Sequence, residues 1–501
     1  MHDRVFDDMN RHEANYTLAI ADWRMASDEG EGRYRILGPM LRKLLFLGVI
    51  ATSFAGSQAP ARRQVSLVVA NGIVVTVDGS RRVLPRGSVA IDGRDIVAVD
   101  TADAIAARFR GRETVDAAGA VVMPGLINTH THAPMVLFRG LADDLALMDW
   151  LQKYIFPAEA KTVTPAFVRA GTRLAALEMI ESGTTTYADM YYFEEEIARV
   201  TKAAGLRGVL GETIIQFPVP DAKTPAEGLA RTERFAKEFA GDELITAAVA
   251  PHAMYTNDAD TLKACRALAD RLNIPVLIHL SETKDEMKTS DEKYHATPTA
   301  FLDSLGFWGP RTLAAHGVHV TPDDIRILAS RHVGMAHNPE SNMKLASGIA
   351  PVEAMRAAGI NVGLGTDGAA SNNDLDMFEA MRQAALLHKL VSGNPRAVPA
   401  PVALEMATMG GARALGMDRQ IGSLEPGKRA DLLIVSMASA RQTPMYDAVS
   451  HLVYVTRGDD VKTTIVNGTI LMRDRRVLTL DRRQVIAEAQ WFADTVRAAV
   501  K

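Results

Sequence analysis

Short apolar runs separated by turn residues make up the early and late parts of the chain. Four β-branched runs, at 65–70, 73–77, 88–91 and 96–99, alternate with Asn71-Gly72, Asp78-Gly79 and Asp92-Gly93. Such pairs between short apolar runs favour hairpins. The pattern returns at 430–435, 452–455 and 464–466, the last run preceding Asn467-Gly468. Because isolated hairpins bury too little surface, the two parts (62–123 and 420–485) are expected to form one composite β-sandwich.

Between these parts, residues 124–419 are expected to alternate strands with helices. Eight apolar runs are candidate strands: 121–123, 184–188, 208–210, 244–249, 276–278, 312–315, 333–336 and 362–365. Strand–helix alternation predicts an α/β fold with a parallel sheet, and eight such units predict a closed (β/α)8 TIM-like barrel. The pattern at 482–499 predicts a terminal amphipathic helix, and 486–501 is assigned as the C-terminal helical segment.

The first 59 residues have a separate character. Residues 1–39 are charged, lack a periodic apolar face and are interpreted as an extension outside any domain. From Met40 a short positive region precedes the apolar run 44–51 and the small residues of Ser57-Gln58-Ala59, which is typical of a signal peptide over 40–59. The run is shorter than the ~20 apolar residues of a membrane span, so no stable membrane insertion is expected after cleavage. An amphipathic or core helix is the alternative. The protein is exported or periplasmic if the signal is used and cytoplasmic otherwise.

Composition narrows the class of protein. Of 501 residues, 47% are hydrophobic and 23% charged, which excludes a disordered or collagen-like chain. With 56 Lys+Arg against 60 Asp+Glu, the chain has no basic excess, so no nucleic-acid partner is expected. The single cysteine, Cys265, excludes an internal disulfide and a multi-cysteine metal site.

Histidines follow the predicted barrel strands. Six lie at or just after strand ends: His130, His132, His252, His279, His316 and His337. In a parallel barrel the carboxyl ends of the strands meet at one face, where active sites lie. We therefore expect these six imidazoles to converge, although any one alone could be structural.

Some of these side chains could bind a metal. His130 and His132 are two residues apart, so on a strand they face the same side. His279 and Asp367 follow two other candidate strands. Three imidazoles and one carboxylate suit Zn²⁺ or another divalent first-row metal and leave a position for water, whose pKa the metal lowers towards ~7. The alternatives are a turn-capping Asp367 and a packed His279.

Three further residues are candidates for the chemistry itself. Glu282 lies just past His279, where its carboxyl can serve as a proton shuttle, or alternatively as a first-turn helix residue. His316 can hold or deprotonate the hydrolytic water. His252 can donate a hydrogen bond to a ring nitrogen of the substrate.

The motifs over residues 65–480 resemble the metal-dependent amidohydrolase superfamily. They are most similar to its 5′-methylthioadenosine/S-adenosylhomocysteine deaminases and chlorotriazine hydrolases. The segments that carry the resemblance are PGLINTHTHAPM at 124–135, PHAMY at 251–255, IHLSET at 278–283, AHGVH at 315–319, HNPESN at 337–342 and GTDGAASNN at 365–373.

The resemblance implies a function and a role for each residue. The activity would be hydrolytic deamination of 5′-methylthioadenosine or S-adenosylhomocysteine to the inosine analogue and ammonia. It would require one divalent metal ion per subunit, with Zn²⁺ as the first candidate. His130, His132, His279 and Asp367 would bind the metal, and Asp367 would also take the proton of the water. Glu282 would be the proton shuttle and would also contact the substrate. His316 would interact with the hydrolytic water. Glu159 would bind ribose, unless it is only a helix-start carboxylate, and His252 would contact the purine. Relatives of this kind often form dimers or tetramers, so a homo-oligomer is compatible.

One departure from the family pattern concerns the substrate's amino-acid group. Glu212 stands near the position where an arginine would bind that carboxylate, and no arginine follows until Arg231. A glutamate there would repel the carboxylate, whereas Phe217 and Pro218 could line a pocket for an apolar 5′ group. Alternatives are hydrolysis of another ring substituent or cyclic amide, as in a triazine, guanine or other aminoheterocycle, and a non-catalytic scaffold.

Overall fold

The computed structural model describes residues 61–500, so the predictions for 1–39 and 40–59 lie outside the described residues. The strands are β1 Arg63–Val75, β2 Val83–Asp92, β3 Asp95–Thr101, β4 Phe109–Asp116, β5 Ala120–Pro124, β6 Leu126–Thr131, β7 Thr184–Tyr191, β8 Arg207–Ile214, β9 Ile245–Pro251, β10 Val276–Leu280, β11 Thr312–His316, β12 Gly334–His337, β13 Val362–Leu364, β14 Leu432–Ser436, β15 Val461–Val466, β16 Thr469–Arg473 and β17 Arg476–Val477.

The helices cover the barrel and link the strands. They are α1 Ala102–Arg108, α2 Leu147–Trp150, α3 Phe156–Thr162, α4 Pro165–Ser182, α5 Glu194–Ala204, α6 Pro225–Glu238, α7 Ala259–Leu272, α8 Lys284–Tyr294, α9 Pro298–Ser304, α10 Pro322–Ser330, α11 Pro339–Lys344, α12 Val352–Ala357, α13 Met377–Ser392, α14 Ala400–Glu405, α15 Gly411–Ala414, α16 Ala448–Tyr454 and α17 Arg482–Ala499. A π-helical turn, Leu151–Ile155, joins α2 to α3. No helix among residues 61–500 is long and apolar enough to cross a membrane.

Eight parallel strands, β6 to β13, lie side by side in chain order. The first and last strands meet, because the Thr129 hydroxyl donates to the Leu364 carbonyl at 2.8 Å and the Asp367 amide donates to the His130 carbonyl at 2.9 Å. Nearly every residue of the barrel strands is buried, as expected for a parallel sheet covered by helices outside and filled by side chains inside. The predicted barrel is confirmed.

The first barrel strand is not the predicted one. Residues 121–123 belong to β5, which pairs with β14 in the other sheet, and the barrel begins with β6. Only Gly125 separates the two strands, so the apolar run is continuous across both sheets. A Cβ at Gly125 would lie 2.1 Å from the Thr185 hydroxyl, so glycine is needed where the chain passes from one sheet to the other.

The other sheet joins the two ends of the described chain. Its order is β17-β16-β15-β14-β5-β1-β2-β3, with β4 beside β1, and the antiparallel β5–β14 pair connects the N- and C-terminal segments. Inward side chains from both segments, including Leu67, Val89, Val122, Leu432 and Ile465, form one buried cluster. This confirms the predicted composite β structure.

Three local predictions for this sheet were wrong. Asn71-Gly72 is not a hairpin turn but an irregularity within β1, where the register against β2 shifts and Asn71 has a φ of 63°. Residues 452–455 fall largely in helix α16, which the Asp447 side chain caps, because so short an apolar run has no distinctive period. The terminal helix predicted over 482–499 is present as α17, so the boundary that placed its first four residues in the β part was wrong. The predicted turn at Asn467-Gly468 is present, with positive φ at both residues.

A buried ion pair ties the barrel to the composite sheet. The Arg207 guanidinium, at the start of β8, donates from Nε to Asp431 Oδ2 at 3.0 Å and from Nη2 to Oδ1 at 3.3 Å. The backbone N–H of Asn467 also donates to Asp431 Oδ1, at 2.7 Å. The two side chains of the pair are 2% and 3% exposed, so removal of either partner leaves an unpaired charge away from water.

We expect Asp431→Ala to lower the free energy of unfolding in urea by about 3–5 kcal/mol, because Arg207 would remain buried and unpaired. The matched control is Asp494→Ala, whose ion pair with Arg497 is 61% exposed on both sides and whose loss should cost about 0.5 kcal/mol or less. Equal losses for the two variants would contradict this role of the buried pair.

Candidate active site

The predicted site residues gather at the carboxyl ends of the barrel strands. Their positions are His130 in β6 and His132 directly after it, His252 after β9, His279 in β10, Glu282 beyond that strand, His316 at the end of β11 and Asp367 after β13. Glu159 comes from α3, which is outside the barrel strands. Five strand ends, those of β6, β9, β10, β11 and β13, therefore place these side chains, together with helix α3.

Three imidazoles and one carboxylate lie within a few ångströms of one another. The Nε2 atom of His132 is 3.3 Å from His279 Nε2 and 3.3 Å from Asp367 Oδ1. The Nε2 atom of His130 is 3.5 Å from the same carboxylate oxygen. The ligand atoms of His130, His132 and His279 all lie within 4.8 Å of one another, as do those of His130, His316 and Asp367.

Hydrogen bonds on the far side of two rings fix which nitrogen carries a proton. His132 Nδ1 lies 2.6 Å from the Met190 carbonyl and His279 Nδ1 lies 2.8 Å from the His252 carbonyl. A carbonyl only accepts, so each Nδ1 must donate, and in the neutral ring Nε2 then carries a lone pair. With both rings neutral, two lone pairs face each other beside a carboxylate, and the buried His130 Nε2 has no hydrogen-bond partner. A divalent cation is the group that this donor set accommodates.

Asp367 is held in a backbone conformation unusual for its residue type. Its φ is 64°, and the Thr131 hydroxyl donates to its carbonyl at 2.9 Å. Its carboxylate accepts hydrogen bonds from Ser341 at 2.7 Å, Ser371 at 3.0 Å and the Gly368 amide at 2.7 Å. Burial opposes ionisation, but the neighbouring imidazoles hold the pKa of this carboxyl well below its usual range. The side chain is therefore an oriented anion and not a simple turn cap.

Glu282 and His316 form a second pair beside this cluster. The Glu282 Oε2 atom is 3.8 Å from His316 Nε2, and its Oε1 atom is buried without a hydrogen-bond partner. The backbone of Glu282 is fixed by the Glu286 carboxylate, which accepts from its amide at 2.9 Å. His316 Nδ1 lies 2.9 Å from the Asn342 amide oxygen. Burial raises the pKa of the Glu282 carboxyl, which favours its protonated, proton-donating form.

His252 and Glu159 face the same cavity from other directions. The His252 ring lies 4.7 Å, centre to centre, from that of His279, and burial lowers its pKa to about 3, so it is neutral. The Tyr191 hydroxyl donates to Glu159 Oε1 at 2.7 Å. Burial raises the pKa of Glu159 to about 7 despite this hydrogen bond. Glu159 is thus a deeply buried carboxyl that a tyrosine orients.

The cavity that these groups line has an apolar wall that was not predicted. Its apolar lining residues are Met135, Leu147, Trp150, Leu151, Ile155, Phe156, Met190 and Leu345. Tyr191 and Tyr192 add polar edges. A sequence signal existed, since Leu147, Leu151 and Ile155 recur every four residues as on one helix face. The segment after the first barrel strand could therefore have been recognised as an amphipathic helix, although not as a pocket wall.

Three expectations for this region were wrong. His337 does not join the cluster, because its Nε2 atom lies 3.1 Å from that of His388 on α13 and its ring does not line the cavity. Glu212 does not face the cavity either. Its neighbour Thr213 does, and Glu212 instead contacts Arg231 at 3.2 Å in a buried acidic group behind β8. Phe217 is 41% exposed and meets Phe156 edge-on from outside the lining.

Comparison with known proteins identifies the family of this chain. The family model described as "Amidohydrolase family" matches residues 121–471. The chain belongs to the amidohydrolase family. This confirms the resemblance based on the histidine, glutamate and aspartate motifs.

Relatives of this amidohydrolase are named as deaminases. It is 47% identical to 5-methylthioadenosine/S-adenosylhomocysteine deaminase from Syntrophobacter fumaroxidans, over 86% of this chain and 98% of that one. It is 44% identical to 5′-deoxyadenosine deaminase from Methanosarcina mazei, over 87% and 99%. A solved adenosine deaminase from Xanthomonas campestris with bound zinc superposes with a TM-score of 0.86, at 40% identity, over 87% of this chain and all of that one. The predicted enzyme class, a hydrolytic deaminase acting on C–N bonds, is confirmed.

We expect His279→Ala to lose the metal, because it removes one Nε2 donor from a set fixed by hydrogen bonds. Zinc content after loading and gel filtration, measured by mass spectrometry, should be one ion per chain in the native protein and near zero in the variant. Zinc should raise Tm only in the native protein. The control is His319→Ala, since His319 Nε2 lies 2.8 Å from the Ser347 carbonyl and does not line the cavity. Full zinc retention by His279→Ala would refute the ligand assignment.

Proposed function

We propose that this amidohydrolase is a zinc-dependent deaminase that converts an adenosine-type nucleoside and water to the inosine analogue and ammonia. The names of its relatives agree with the predicted activity, and the solved relative with bound zinc supports the choice of metal. One observation carries the proposal. A donor set fitted to a divalent cation opens into the same cavity as a protonatable carboxyl, Glu282, and an oriented carboxyl, Glu159.

His130, His132, His279 and Asp367 would hold the metal. When bound there, a divalent zinc ion lowers the pKa of a coordinated water and so makes a nucleophile available at neutral pH. The protein groups around the cavity bind the substrate and move the protons.

Glu282 supplies the proton that makes the purine reactive. Neutral adenine is a poor electrophile, and protonation of ring atom N1 makes the adjacent carbon C6 susceptible to addition of water. The Glu282 carboxyl lies in the cavity next to the candidate metal ligands, and burial raises its pKa, so it can carry the required proton.

Asp367 and His316 manage the attacking water. Asp367 accepts the proton released as the water oxygen bonds to C6, and its other oxygen stays fixed by Ser341 and Ser371. His316 presents Nε2 to the water, because its Nδ1 is oriented by Asn342. The accepted proton passes to the amino group, which leaves as ammonia when the C6–N bond breaks. The proton of the C6 hydroxyl returns to Glu282 as the carbonyl forms, so that the shuttle is restored.

Glu159 and His252 bind the two other parts of the nucleoside. Glu159 can accept hydrogen bonds from the ribose hydroxyls, with Tyr191 holding the carboxyl in place. His252 lies over the His279 side of the cavity and can donate to a purine nitrogen.

We expect Glu282→Gln to reduce kcat for ammonia release by about 10²–10⁴-fold, the range for loss of a general acid, because an amide cannot cycle a proton to N1. Zinc content should not change, since Glu282 is not in the ligand set. Glu292→Gln, on the exposed face of α8, is the matched carboxylate control and should keep native kcat. Native turnover by Glu282→Gln would exclude it as the shuttle.

Glu159→Gln tests whether the substrate carries ribose. Loss of a hydrogen bond to a charged group costs about 1.5–3 kcal/mol, so kcat/KM for 5′-methylthioadenosine should fall about 10–150-fold. Any turnover of free adenine, which has no ribose, should change less than about 3-fold. A parallel loss for both compounds would place Glu159 elsewhere. Unchanged values for both would favour the predicted alternative, hydrolysis of another aminoheterocycle.

A further inference from the structure

We infer that the cavity selects nucleosides with a small, uncharged 5′ substituent and discriminates against one that ends in a charged amino acid. This inference rests on the proposed function and names the substrate class within it. The names of the relatives present three substituents: hydrogen in 5′-deoxyadenosine, methylthio in 5′-methylthioadenosine and a homocysteine thioether in S-adenosylhomocysteine.

Two contacts define the pose in which we place the 5′ end of the nucleoside. The base must lie at the metal ligands and Glu282, and the ribose at Glu159, which is bound to Tyr191. Ile155 and Phe156 precede Glu159 by four and three residues in the same continuous helical segment. They therefore share its face and line the cavity one turn away. In the pose that we infer, the 5′ carbon of a ribose held at Glu159 is directed towards this apolar side.

The wall continues with apolar side chains. Going back along the chain from Ile155 towards the start of α2, the next apolar lining residues are Leu151, Trp150 and Leu147. All three line the cavity with no more than 8% of their surface exposed. A methyl or methylthio group gains burial against such a wall, at ~0.8 kcal/mol per methylene-sized group.

No positive side chain is available to pair a carboxylate there. Among the described residues that line the cavity there is no lysine or arginine, whereas Glu159, Glu282 and Asp367 contribute carboxyl groups. Arg231, the first arginine after β8, is bound to Glu195 and Glu212 and lies over the Phe193 ring at 4.9 Å. A homocysteine group would bring one ammonium and one carboxylate against an apolar wall with no cation to pair the latter, which opposes binding.

The first experiment compares three substrates with the zinc-loaded protein. We expect kcat/KM for 5′-deoxyadenosine and 5′-methylthioadenosine to agree within about 10-fold, and that for S-adenosylhomocysteine to be lower by about 100-fold or more, mainly through KM. Equal efficiency for the thioether and the homocysteine conjugate would overturn the inference and leave the proposed function intact.

Binding measurements test the selectivity for the 5′ substituent even without turnover. Calorimetry with zinc-loaded Glu282→Gln should show tighter binding of 5′-methylthioadenosine than of S-adenosylhomocysteine by a similar factor. Selective binding without ammonia release from any compound would contradict the proposed reaction and support the selectivity. Equal binding of the two nucleosides, or binding of neither, would refute the selectivity.

A variant of the wall tests its role directly. Leu147→Arg supplies a guanidinium on the apolar wall and should raise the ratio of kcat/KM for S-adenosylhomocysteine over 5′-methylthioadenosine by about 10-fold or more. Leu147→Met and Leu147→Gln, which add no charge, should leave the ratio within about 3-fold of native. If Leu147→Arg does not fold, Leu151→Arg repeats the test one turn along. A folded arginine variant with an unchanged ratio would contradict the assignment of this wall to the 5′ group.

Discussion

The Nε2 atoms of His132 and His279 lie 3.3 Å apart, next to the Asp367 carboxylate. Both rings donate from Nδ1 to backbone carbonyls, so in the neutral state their Nε2 lone pairs repel each other. Positive charge relieves this repulsion and accordingly, although burial lowers the pKa of His132, Asp367 raises it to about 9. A divalent cation converts the repulsion into coordination. The surrounding loops, strand ends and serines can be understood as the structure that holds this donor set together.

The hydrogen bonds that close the barrel also position residues of the candidate site. The last strand meets the first through the Asp367 amide, which donates to the His130 carbonyl, and through the Thr131 hydroxyl, which donates to the Asp367 carbonyl. The seam thus brings candidate metal ligands from the two ends of the barrel sequence into one cluster. The positive φ of Asp367 lies at this seam, where the flanking hydrogen bonds can sustain a backbone conformation costly for a non-glycine residue.

The sequence was informative where a residue type and a strand end coincide. Parallel strands share one active face, so His279 and Asp367 could be placed beside His130 although they are far apart in the chain. His337 follows the same rule but turns to His388, since strand position fixes where a residue lies and not which neighbour its ring meets. Glu212 was misplaced because its side, facing Arg231 behind the strand, depends on strand register.

Continuous apolar sequence concealed other features. The boundary between β5 and β6 is a single glycine, Gly125, and no change in hydrophobic period marks it. The wall from Leu147 to Phe156 has a helical repeat, but its role as a cavity lining depends on how that helix folds over the barrel mouth.

The central claim is that three histidines and one aspartate bind a single zinc ion. Anomalous diffraction at the zinc absorption edge from zinc-loaded crystals tests this claim most directly. One peak per chain is predicted, at about 2.0–2.2 Å from His130, His132 and His279 Nε2 and from an Asp367 oxygen. A peak elsewhere, or ligation that omits His132 or His279, would contradict it.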